Sequence, residues 1–212
     1  MDFLLAAPIL LMSIVVHEVA HAWQARREGD TTAERLGRIT LNPIRHIDPF
    51  GSVLLPLMLW FANSPMMFGW AKPVPVDPRN FRHLRAGDIR VSLAGIVSNL
   101  ILAVLCTLVT ALLVMLGGGS VMDALRRMFL FGIFINLVLA FFNLIPIPPL
   151  DGSHVVYQLL PPRAAEGYRR AGRWGFLVII LLVFAMPGVL QLLLAPVNLL
   201  MGAADWFIRL WI

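Results

Sequence analysis

The stretch SIVVHEVAHAW, residues Ser13 to Trp23, sets two histidines and a glutamate inside an apolar run long enough to enter a lipid bilayer. Ionisable side chains are costly there, about 2.5–3.5 kcal/mol at mid-bilayer on insertion scales, so each needs a partner or a purpose. His17 and His21 are four residues apart and project from one face of a helix, with Glu18 beside them. An HExxH pattern on a helix suits a divalent metal. Two imidazole nitrogens ligate, and the neighbouring glutamate can take a proton from water. The alternative is a pair of buried histidines satisfied by ordinary hydrogen bonds.

The remainder of the chain agrees with a membrane setting. Of 212 residues, 59% are hydrophobic and 14% charged, and the mean hydropathy is +0.81. A soluble domain of this length could not cover so much apolar surface. Windows 3–25, 91–116, 128–147 and 174–194 each cross, or nearly cross, ~30 Å of hydrocarbon. The N-terminal run lacks a basic leader and a small-residue cleavage site, and it carries HEVAH, so it reads as a retained helix. The single cysteine, Cys106, has no partner for an intramolecular disulfide and reads as packing.

The net charge of +5 is unevenly placed. Arg26, Arg27, Arg35, Arg38 and Arg45 lie in one loop, Lys72, Arg79, Arg82, Arg85 and Arg90 in a second, and Arg163, Arg169, Arg170 and Arg173 in a third. These cations flank hydrophobic spans and offer no stacking platform, which speaks against nucleic acid and for the positive-inside rule. All three loops are therefore expected in the cytoplasm. Helix 3–25 then runs inward, 91–116 outward to the Gly117-Gly118-Gly119 turn, and 121–145 inward to the prolines of NLIPIPPLDG. Helix 174–194 leaves again, kinked near Pro187, and 195–212 crosses back or lies at the interface. Arg126 and Arg127 fall on the wrong side of this scheme.

Segment 50–69 is apolar yet flanked by basic sequence, so a re-entrant helix is expected there. The expected fold is an all-α polytopic membrane protein. It has about five to six membrane helices, one of them re-entrant, and a short extended edge strand near 72–76. Residues 1–212 form one membrane-embedded domain, with its motifs in 9–160 and C-terminal helices in 174–212.

A catalytic zinc takes three protein ligands and a water, and HExxH supplies two. The other acid in a comparable setting is Asp151, in NLIPIPPLDGSHV. The topology places His17, His21 and Asp151 at the cytoplasmic ends of their helices, because only about 7–8 Å of helix rise separates His21 from Arg26.

HEVAH, NPIRHIDPFG, AKPVPVDP, AGIVSN and NLIPIPPLDG, in that order over residues 9 to 160, resemble the motifs of site-2 proteases, the zinc intramembrane metalloproteases. The resemblance is to the minimal form, without PDZ or CBS modules. It implies that His17, His21 and Asp151 ligate one Zn2+ and that Glu18 is the catalytic base. It also implies that Asn143 helps to hold the scissile carbonyl or its oxyanion. The substrates it implies are single-pass or signal-type transmembrane proteins, cut within or near the bilayer of the cell membrane by a site close to its cytoplasmic face.

A substrate helix must unwind before it is cut, and its freed backbone groups need partners. In Lys72-Pro73-Val74-Pro75-Val76 the prolines blunt one edge, leaving Lys72, Val74 and Val76 to pair with substrate along the other. Asn99, four residues beyond Gly95, joins them as a substrate-site candidate, bonding either the active-site region or another helix. His46 reads as part of a turn capped by Asn42 and Asp48, and His83 as solvated. His154, three residues beyond Asp151, is a lesser ligand candidate.

Two rival readings remain. A catalytically silent zinc-binding scaffold would have no need of Glu18. A metal or proton transporter would spread its polar residues along a path, whereas here they cluster at one depth. Oligomeric state is not set by the sequence.

Overall fold

The computed structural model describes residues 3–54, 57, 58, 61 and 71–211. Helix α1 (Phe3–Glu28) carries HEVAH and ends at Arg26 and Arg27, and the single turn α2 (Thr32–Arg35) follows. Helices α3 (Leu84–Met115) and α4 (Ser120–Asn143) form an antiparallel pair, and α1 packs across both. Ala6–Glu28, Leu84–Met115 and Ser120–Asn143 are each long and apolar enough to cross a membrane. Val97, Ile101, Val104, Leu108 and Leu112 lie exposed along α3, a face suited to lipid.

The turn between α3 and α4 uses Gly117 and Gly119 at φ +90° and +142°, a region open to glycine. Arg126 folds back on this turn and donates to the carbonyls of Leu113 and Gly117. That accounts for its position away from the other cations: it satisfies carbonyls that the end of α3 leaves unpaired.

Beyond α4 the prolines break the helix, and residues 144–150 form a packed loop in which the Pro148–Pro149 bond is cis. Helix α5 (Asp151–Leu159) starts directly after it and lies against α3. Helix α6 (Pro162–Ala171) sends the Tyr168 hydroxyl back to the Pro146 carbonyl at 2.9 Å. Gly175, which opens α7 (Gly175–Phe184), touches the Pro148 carbonyl so closely that a Cβ would sit 1.9 Å from its oxygen.

The expected span 174–194 is not one helix. Helix α8 (Pro187–Leu193) turns by 99° from the segment ending at Phe184, because Pro187 cannot continue the preceding hydrogen-bond ladder. If this bent pair is one span, the described residues hold four candidate crossings, and otherwise three. Helix α9 (Ala195–Arg209) is about 22 Å long, short of ~30 Å of hydrocarbon. It packs Val197 and Ile208 into the core formed by Ala103, Cys106, Ile133 and Leu137. The described residues therefore do not bear out the expected count of five to six membrane helices. Most of the expected re-entrant segment 50–69 lies outside them; its start, Pro49–Leu54, is a π-helical turn.

Residues 72–76 are not a strand. Several of their backbone groups are taken by side chains and a loop instead of a partner strand. The Lys72 amide donates to the His46 carbonyl at 2.8 Å. Arg38 donates to the carbonyls of Lys72 and Pro73 at 2.8 and 3.4 Å. Val74 and Val76 pack under α1 against Ala22 and Ala33. This strap lies at the same end of the bundle as the Glu28–Arg90 ion pair, which joins the end of α1 to the start of α3 through two 2.7 Å bonds.

Candidate metal centre

The helical repeat of α1 turns His17 and His21 toward α3, where both are buried. Their Nε2 atoms are 3.0 Å apart and the rings stand nearly perpendicular, at 87°. They can approach α3 because residue 95 is glycine. A Cβ there would lie 2.5 Å from His21 Nε2 and 2.7 Å from His17 Nε2. Asp151, the first residue of α5, brings its Oδ2 to 3.2 Å from His17 Nε2 and 3.3 Å from His21 Nε2. Gly152 lets α5 begin this close to the loop, since a Cβ there would meet the Leu144 carbonyl oxygen at 2.1 Å.

The outer nitrogens fix which way each ring faces. His21 Nδ1 lies 2.7 Å from the Val91 carbonyl oxygen, which can only accept, so Nδ1 carries a proton and, in the neutral ring, Nε2 is bare. His17 Nδ1 lies 2.5 Å from the Asn99 side-chain oxygen, with the same consequence. Two imidazole lone pairs and one carboxylate oxygen therefore converge, and the Asp151 Oδ2 is buried without a hydrogen-bond donor. Such a triangle is mutually repulsive until a cation sits within reach of all three. Tetrahedral zinc, with bonds of about 2.0–2.2 Å, separates its ligand atoms by roughly 3.3–3.6 Å. The three separations here fall within about 0.3 Å of the short end of that range, so the donor set fits.

Glu18 is half-buried beside the histidines, and its Oε2 accepts a 2.7 Å bond from the Val74 amide. The Lys72 and Val74 amides, two of the groups expected to pair with substrate, donate within the protein, and the Val76 side chain serves packing. Asn99 has no exposed surface and is turned to His17, the first of the two bonding roles expected of it. Asn143 is half-buried near the end of α4 and spends one amide hydrogen on the Leu139 carbonyl at 2.9 Å.

His154 stands outside the triangle. It lies 3.5 Å from Asp88, whose carboxylate pushes the imidazole pKa up against the opposing effect of burial. Gln158 holds the other Asp88 oxygen at 2.6 Å. His46 is buried and bonded to the Thr40 carbonyl at 2.9 Å, while Asn42 and Asp48 cap the turns on either side of it. Sequence reasoning passed over Ser13 and Asn136, both buried and bonded to the residues behind His17. The available signal was polarity in apolar helices: Ser13 is one helical turn before His17, and Asn136 two turns before Asn143.

A family model for Peptidase family M50 matches residues 112–186. Over 181 residues the chain is 41% identical to a Bacillus subtilis (strain 168) protein named "Putative zinc metalloprotease YwhC", covering 84% of this chain and 78% of that protein. Over 185 residues it is 32% identical to Rip2 of Mycolicibacterium smegmatis, which bears the same designation, covering 85% of this chain and 67% of Rip2. No solved structure matches.

Proposed function

The chain belongs to the site-2 protease family, Peptidase family M50, and from that premise we propose that it is an intramembrane zinc endopeptidase. It hydrolyses peptide bonds in or near transmembrane segments of single-pass or signal-type substrates. The observation that carries this reading is the convergence of His17 Nε2, His21 Nε2 and Asp151 Oδ2, with both Nδ1 protons turned outward.

His17, His21 and Asp151 would hold one zinc ion, which when bound would supply a water of pKa lowered toward ~7 and polarisation of the scissile carbonyl. Glu18 is the base that accepts a proton from the attacking water and returns it to the leaving amine. The Val74 amide occupies Glu18 Oε2, which orients the carboxylate and leaves Oε1 to act. Asn143 keeps one amide hydrogen beyond the one given to Leu139, and that hydrogen supports the developing oxyanion. The end of the bundle that holds the site also carries most of the arginines, which supports its facing the cytoplasm in the cell membrane.

The test uses detergent-purified protein with a panel of single-pass reporter substrates, comparing wild type, Glu18→Gln and chelator-treated samples. Cleavage is expected from wild type alone, and equal cleavage in all three eliminates the mechanism. Zinc content should be lost in Asp151→Ala; undiminished zinc removes that residue from the ligand set. A scaffold would bind zinc yet show no difference between wild type and Glu18→Gln on any substrate.

A further inference from the structure

We propose that Asn136 is a positioning residue for the metal centre, acting on His17 through Asn99; the inference rests on the metal-site reading above. Ser13 of α1, Asn99 of α3 and Asn136 of α4 form one hydrogen-bonded group across three helices, with exposures of 2%, 0% and 1%. No water reaches such a group from outside, so the direction of each bond is set by its neighbours.

The chain of directions starts at main-chain carbonyls, which can only accept. Asn136 Nδ2 donates to the Gly132 carbonyl at 2.8 Å and to the Ser13 hydroxyl oxygen at 2.8 Å. The Ser13 hydroxyl spends its own proton on the Ile9 carbonyl at 2.7 Å, so toward Asn136 it accepts. Both amide hydrogens of Asn136 are thus spent, and its Oδ1 faces Asn99. An oxygen there demands a donor, and Asn99 answers with Nδ2 at 2.8 Å, its second hydrogen reaching the Ser13 carbonyl at 3.3 Å. Asn99 must then present Oδ1 to His17, and His17 must carry its proton on Nδ1. The bare Nε2 is left facing His21 and Asp151.

Without Asn136 the Asn99 amide can rotate and offer N–H to the ring, which favours the tautomer with its proton on Nε2, where a metal bond should form. Outer partners of metal-bound histidines typically contribute about 10- to 100-fold in metal affinity. Polar residues of this kind can also act simply as bonds between membrane helices, in which case they affect stability alone.

Zinc affinity of the detergent-purified full chain, measured by competition with a chromophoric chelator, separates these roles. Asn136→Leu and Asn99→Leu should each weaken zinc binding by about 10- to 100-fold. The double variant should be no weaker than Asn99→Leu alone, because one residue acts through the other. A folded Asn136→Leu protein with wild-type affinity overturns the proposal, as do additive losses in the double variant. If Asn136→Leu does not fold, 15N-histidine NMR of chelator-treated wild type decides, with His17 assigned by its loss in His17→Gln. A proton on His17 Nδ1 is expected, and a proton on Nε2 overturns the proposal. Wild type that binds no zinc at all overturns the metal-site reading itself, a result distinct from an Asn136 variant that binds normally.

Discussion

The main-chain N–H of Val74 donates to Glu18 Oε2 at 2.7 Å, joining the strap to α1 across 56 residues of sequence. A backbone donor cannot rotate away, so it fixes the carboxylate more firmly than a flexible side chain would. Val74→Pro removes the donor. Reporter cleavage is expected to fall by about 10-fold or more, with zinc content unchanged. Val74→Ala keeps the N–H and should retain most activity. Equal initial rates for Val74→Pro and wild type would show that Glu18 needs no such support.

Gly95 is the point where α3 meets the two imidazoles. A methyl group there would lie 2.5 Å from His21 Nε2, closer than any non-bonded contact allows. Gly95→Ala should therefore weaken zinc binding by at least about 100-fold, read by chelator competition. Retention of wild-type affinity would mean that α1 and α3 separate without disturbing the site.

Gly175 sits outside the metal centre but supports it. Its backbone rests on the Pro148 carbonyl, three residues before Asp151, and a Cβ would lie 1.9 Å from that oxygen. Gly175→Ala should cost about 1–3 kcal/mol of stability and lower zinc affinity, because the loop that delivers Asp151 must move. Gly188→Ala in α8 is the control. Nothing lies within 4 Å of its added carbon, so it should be neutral or slightly stabilising in thermal melts.

Asp30 gives a pH dependence of stability. It is fully buried just beyond α1 and accepts bonds from the Thr32 amide and hydroxyl, the Asn80 side chain and the Asp77 amide. Burial pushes its pKa up, but these donors outweigh it and hold the carboxyl below the ordinary value of 3.8. A carboxyl depressed in the folded state stabilises above its unfolded pKa, and that contribution is lost as pH falls through the lower folded value. Asp30→Asn should cost about 2 kcal/mol at neutral pH, with the difference from wild type shrinking below pH 3.8. Parallel melting curves from neutral to acidic pH would rule the ionised form out as the stabilising species.

Much of the frame was legible from local pattern. The long apolar windows gave the three long helices, and the prolines at 146, 148 and 149 marked where α4 had to stop. Pro187 announced a break, but its size depends on how α7 and α8 pack, and 99° is no mere kink. The strap is a similar case. Alternating prolines do describe an extended backbone with one usable edge, yet they do not say what lies against it, and here Glu18 and His46 do. Arg126 looked misplaced because a rule about flanking charge takes no account of helix ends that need donors.

By itself the sequence determined that His17 and His21 share one helix face with Glu18 beside them, because a period of 3.6 residues is a local property of the backbone. It also placed a lone acid, Asp151, after a helix-breaking loop at the same end of the molecule. Only the tertiary structure decided that Asp151 comes within 3.2 and 3.3 Å of the two rings, that Gly95 makes room for them, and that Asn99 and Asn136 stand behind His17. Those relations join residues on different helices, and they are set by how side-chain volumes and buried donors fit together, which no spacing along one segment encodes.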